Sequence, residues 1–127
     1  MSAQEAVPLV ELADVEVPDL GVQLSFFVDP IDQAFVRFHH ANPHVYRRLV
    51  GLARQWQQAG HDRVSMKMLF EVLRFDHGLR TASLDGLKLN NNYTSRYVRV
   101  IAANERDLAP LFERRALADE RTGGGHG

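Results

Sequence analysis

The sequence predicts a mainly α domain of about five helices with one small β-ribbon, winged-helix or helix-turn-helix-like. Three observations lead there. Apolar residues recur at helical spacing through most of residues 30–118. Asn-Pro, Ser and Gly fall where those runs begin and end. Asp85-Gly86 stands between two short runs, which is a strong hairpin-turn signal.

The first helix is expected from about Pro30 to Ala41, with Asp29 as N-cap, Pro30 as first helical residue, and Ile31, Phe35 and Phe38 on the buried side. The second starts at Asn42-Pro43. Its stripe is Val45, Leu49, Leu52, Ala53 and Trp56, and Gly60 follows as the C′ residue. The third follows Ser65 and runs to about Asp76, with Gly78 as terminator. Met66, Leu69, Phe70, Val72, Leu73 and Phe75 make it apolar nearly all round, which predicts burial on more than one side. The ribbon pairs 80–84 with 87–90. A fourth helix, about 91–104, buries Tyr93, Tyr97, Val100 and Ile101, and a short fifth, 107–118, carries Leu108, Leu111, Phe112 and Leu117.

Residues 1–29 read as an acidic extended arm, interrupted by Val7-Pro8, Val17-Pro18 and Asp29-Pro30, with one short strand expected near 22–28. Residues 30–118 form the helical domain. The glycine-rich end, 119–127, is predicted to be disordered. The whole is 127 residues, 45% apolar, which suits one domain with a small core.

The chain has no cysteine, so disulfides and thiolate zinc sites are excluded. No apolar run approaches the ~20 residues that span a bilayer, and Met1-Ser2-Ala3-Gln4-Glu5 lacks the basic start of a secretory signal. The expected location is the cytoplasm. The net charge of −1 conceals an asymmetry. Residues 1–30 hold Glu5, Glu11, Asp14, Glu16, Asp19 and Asp29 and no base, whereas Lys and Arg outnumber acids over 31–117. A basic body with an acidic arm suits an anionic partner for which the arm competes.

The run Lys88-Leu-Asn-Asn-Asn-Tyr-Thr-Ser-Arg-Tyr-Val-Arg99 is the most informative. On a helix beginning near Asn91, residues Asn92, Ser95, Arg96 and Arg99 share one face. Asn suits adenine, Arg guanine, and Ser bases or phosphates, which is what a recognition helix in the major groove of double-stranded DNA presents. Asn91 and Thr94 lie at the helix N-terminus, where free N–H groups favour a phosphate. Lys88, Arg80 and Lys67 are placed to hold the backbone. About fourteen residues separate the two helices, so the motif is elaborated and the ribbon would be its wing. The plainer alternative makes Asn90, Asn91 and Asn92 capping residues and the arginines a solvated face. A homodimer reading two half-sites is the expected assembly.

His39, His40 and His44 invite a metal, but Pro43 breaks the helical spacing that paired ligands need, and no metal or other cofactor is expected. Asp76-His77 has no nucleophile or Gly-rich phosphate loop beside it, so the chain is not expected to be an enzyme. The rival function is a protein-interaction module, such as an inhibitor of a host enzyme or defence complex, in which residues 1–29 order on a host partner.

Phe38-His-His-Ala-Asn42-Pro43-His44-Val45-Tyr46, Leu69-Phe-Glu-Val-Leu-Arg74 and Leu89-Asn-Asn-Asn-Tyr93 resemble a family of small phage and prophage proteins, over about residues 35–117. Its distinctive segments are Asn-Pro-His-Val-Tyr and Lys-Leu-Asn-Asn-Asn-Tyr. The resemblance implies a cytoplasmic accessory protein of a phage or mobile element, and it assigns no chemistry.

Overall fold

A computed structural model describes residues 15–20, 29–81 and 88–112. The protein is mainly α, and no strand occurs among the described residues. Among the described residues four α-helices follow in order: α1 (Pro30–Ala41), α2 (Pro43–Gln58), α3 (Met66–Arg80) and α4 (Thr94–Asn104), the last led in by a 3-10 turn, Asn91–Tyr93. Residues 109–112 begin a further helical turn. The short strand expected at 22–28, the Asp85-Gly86 turn with most of the ribbon, and the tail from 113 lie outside the described residues. At the ribbon's margins Arg80 closes α3, and Lys88 has a left-handed φ of 54°.

The helix boundaries follow from local chemistry. Asp29 caps α1, its side chain accepting from the Ile31 N–H at 2.8 Å. Asn42 separates α1 from α2, yet its side chain does not cap α2. Its amide donates backward to the Phe38 carbonyl at 3.0 Å, and Pro43 starts the next helix. The end of α2 is a Schellman motif: Gly60 (φ 108°) donates to the Gln57 carbonyl and His61 to that of Trp56. The Trp56 and His61 rings stack at 3.8 Å across it. A side chain at Gly60 would meet no atom within 4 Å, so only the backbone φ requires glycine there. Ser65 caps α3. That helix runs through Gly78 to Arg80, four residues beyond its expected end. One glycine costs a helix only about 1 kcal/mol, and Leu79 and Arg80 are good helix formers.

The core joins all four helices. Tyr97 of α4 is fully buried, edge-on to Phe35 of α1 at 4.8 Å and to Phe70 of α3 at 6.1 Å. Tyr46, Leu49, Val50 and Ala53 of α2, together with Leu108, Leu111 and Phe112, complete it. His39, the one buried polar residue among those described, packs edge-on to Tyr46 at 5.7 Å. Two apolar expectations are corrected. Ile31 is exposed, and the outer side of α3 is not covered by any described residue: Phe75 is 66% and Leu79 72% exposed.

Residues 15–20 of the arm pack on this body, with Val15 and Leu20 buried. His39 Nε2 donates to the Pro18 carbonyl at 2.7 Å. His40 Nε2 accepts from the Leu20 N–H at 3.1 Å, and Arg47 Nε donates to the Val15 carbonyl at 3.4 Å.

A second tie crosses the far end. Arg54 donates to Glu105 at 2.7 Å and to Asp107 at 2.9 Å, Gln57 donates to the Asp107 carbonyl, and the Tyr46 hydroxyl donates to Glu105 at 2.9 Å. Hydrogen bonds to these carboxylates raise the Arg54 pKa, and the guanidinium in turn holds Asp107 below the usual carboxylate range. Arg54→Ala is expected to cost about 1–3 kcal/mol, because Glu105, only 14% exposed, is left without its cation. Urea denaturation reads this as a lower midpoint at unchanged slope. An unchanged midpoint would show that solvent already screens the pair.

Candidate nucleic-acid interface

The segment singled out by sequence begins with Asn90, which organises the entry to α4. Its side-chain oxygen accepts from the Asn92 N–H at 2.8 Å, and its carbonyl accepts from the Tyr93 N–H at 2.9 Å. These bonds occupy donors at the helix start, so this turn presents fewer free N–H groups to a phosphate than its sequence implies. Asn91 is exposed, and its side-chain oxygen accepts from Arg74 at 2.6 Å. Arg74 also donates to the Leu89 carbonyl and lies over the Phe70 ring, tying this entry to α3. The half-buried Thr94 hydroxyl donates to the Asn91 carbonyl at 3.0 Å. Of Asn90, Asn91 and Asn92, offered as capping residues in the plainer alternative, Asn90 is the one whose side chain caps here.

The four residues expected on one face divide. Asn92, Ser95 and Arg99 are exposed and follow one another at helical spacing, over about 10 Å of helix. Arg96 is turned inward, its side chain 17% exposed. It pairs with Asp32 in the first turn of α1, lies 3.5 Å from Asp29, and donates to the Asn92 carbonyl at 2.9 Å. Two carboxylates at the N-terminus of α1 already suit that helix dipole, and Arg96 joins them to α4. Its guanidinium is thus engaged within the fold and is not displayed with the other three.

Carboxylate partners are unevenly shared. Arg48 pairs with Asp76, Arg54 with Glu105 and Asp107, Arg74 with Glu71, and Arg96 with Asp29 and Asp32. Lys67, Arg80, Lys88 and Arg99 are exposed and have no carboxylate partner among the described residues. These cations do not converge on one point: Lys67 and Arg80 stand at opposite ends of α3, about 20 Å apart. Arg80 borders a cavity of about 60 Å³ with His44, Arg48, Asp76 and His77. There burial, with Arg47, Arg80 and His77 nearby, lowers the His44 pKa. The His77 Nε2 is buried without a hydrogen-bond partner among the described residues. The sequence offered His44 only within the His39, His40 and His44 group and His77 only beside Asp76; the packing of α2 on α3 is what brings the two histidines together.

No group of three or more His, Asp or Glu that could hold a metal occurs among the described residues. No described helix is long and apolar enough to cross a membrane. No family model, curated protein or solved structure matches the chain.

Proposed function

We propose that the protein is a DNA-binding accessory or regulatory protein of phage or mobile-element type, holding double-stranded DNA against the outer side of α4. The observation that carries this reading is the exposed row Asn92, Ser95 and Arg99, in which Arg99 has no carboxylate partner among the described residues. Asn and Arg at this spacing match the donors and acceptors of adenine and guanine edges. Lys67, Arg80 and Lys88 contribute charge toward the phosphates. Arg96 acts in this reading as a brace that fixes α4 on α1, so base contact rests on its three neighbours. In this reading α3 and α4 are the helix pair of an elaborated helix-turn-helix, with residues 81–90 as the connection.

The exposed side of α3 favours a second reading, a protein-interaction module. Met68, Val72, Phe75 and Leu79 lie at alternating spacings of four and three, the seam pattern of paired helices. A homodimer formed there would carry two copies of the α4 row. The acidic arm is less suited to capturing a host protein, because Val15 and Leu20 are already buried on the chain's own body.

Fluorescence anisotropy of the full chain with random 30-base-pair duplex at two salt concentrations tests the first reading. Binding that weakens with salt and an even loss for Lys67→Ala are expected on random duplex, and on a duplex carrying a selected site Arg99→Ala should lose about 1–3 kcal/mol at one base position. Absence of binding at micromolar protein would overturn it in favour of the second.

A further inference from the structure

A cavity of about 260 Å³ lies where the arm, α1 and α4 meet. Leu20, Phe35, Val100 and Ala103 give it an apolar floor, and Asp32, Arg96, Arg99 and Asn104 stand around it. Most of its polar groups are already matched. Asp32 and Arg96 pair with each other, and the Asn104 amide donates to the Val100 carbonyl at 2.8 Å. The Arg99 guanidinium alone among these charges has no partner among the described residues.

We infer that this cavity is a binding site for a small monocarboxylate with an apolar body, its carboxylate on Arg99 and its body on Leu20, Phe35, Val100 and Ala103. Each part of that description follows from the site. At the ~30 Å³ that a water-sized group occupies, the volume holds roughly nine non-hydrogen atoms. A planar guanidinium offers two parallel donors to one carboxylate, which orients the ligand as well as attracting it. The apolar floor rewards a hydrocarbon body and penalises a second polar group left unmatched. Asp32 and Asp29 share the Arg96 guanidinium, which offsets one of their two charges, so Arg99 has to outweigh the other to hold the carboxylate. The ligand would also touch Leu20 and both helices, and so would hold residues 15–20 against the body. This site stands independently of DNA binding. Where both hold, Arg99 serves one partner at a time, and the acid would weaken duplex binding.

The test uses the full-length, ¹⁵N-labelled chain and phenylacetate, which has the expected size, at fixed pH and ionic strength. Saturable amide shifts centred on Leu20, Phe35, Val100 and Ala103 are expected in the millimolar range or below. Phenylacetamide, equal in shape but uncharged, should bind about tenfold or more weakly, and Arg99→Ala should lose a similar factor. Ala103→Leu places extra atoms in the cavity from an exposed position, so the fold should persist while binding is lost. No shifts up to 10 mM phenylacetate would overturn the inference. So would equal binding of the amide, or binding that survives Ala103→Leu. Loss of DNA binding with these shifts intact would leave this site standing and remove only the duplex reading.

Discussion

Tyr97→Ala should lower stability by about 3–5 kcal/mol, a large part of the 5–15 kcal/mol typical of a domain. Tyr97 is fully buried where α1, α3 and α4 meet, and its ring touches Phe35, Phe70 and His39. Truncation removes aromatic area from three neighbours at once and leaves a cavity that fixed helices cannot close. Tyr97→Phe separates this packing role from the hydroxyl. The Tyr97 hydroxyl is buried with no hydrogen-bond partner among the described residues, and burial raises its pKa. Removing it should be neutral or stabilising, because an unsatisfied buried donor has only a desolvation cost. Urea midpoints of both variants check the pair of statements. A large loss in Tyr97→Phe would mean that the hydroxyl is satisfied in solution.

Acidification should weaken the fold through His39. Its pKa lies below the ordinary value of 6.5, chiefly because burial penalises the charged ring, with the bond to Pro18 opposing that shift. A group with a depressed folded pKa and a protonated form favoured in the unfolded chain stabilises fully above pH 6.5. That contribution is lost as pH falls from 6.5 toward the folded value, with a slope of at most about 1.4 kcal/mol per pH unit for one proton. The loss should be felt at the arm. His39 Nε2 holds the Pro18 carbonyl, while its Nδ1 is buried without an acceptor for a second proton. His40 Nε2 accepts the Leu20 N–H in the same segment, 3.2 Å from Asp19. Stability of the parent chain and His39→Gln, measured between pH 5 and 7.5, decides this. Gln retains a donor for Pro18 but does not titrate, so its stability should depend less on pH. Identical slopes would show that His39 is not the group responsible.

Much of the helical architecture is readable from residue order because its determinants are local. Asp29-Pro30, Asn42-Pro43, Ser65 and Gly60 mark helix ends within a residue or two, each through a bond to a near neighbour. Where the pattern misled, the deciding contact was remote. Phe75 and Leu79 have the same apolar character as Leu69 and Leu73, and only the placement of α2 and α4 determines which side of α3 is covered. Arg96 and Arg99 are indistinguishable by spacing. Asp29 and Asp32, more than sixty residues earlier, capture one and leave the other displayed. Ion pairs have no sequence period that could reveal this. His39 was hidden for a similar reason: among neighbouring histidines it reads as polar, but α1 turns it between Tyr46, Tyr97 and the arm.

The Arg54 tie has a consequence for the order of folding. It joins α2 to residues more than fifty positions later, across a loop that contains α3 and α4, so its closure entropy is large and it is expected to form late. Contacts made that late contribute little to the barrier crossed during folding, yet they must be broken early on the way out. Arg54, Glu105 and Asp107 would therefore govern how long a folded molecule lasts more than how quickly it forms.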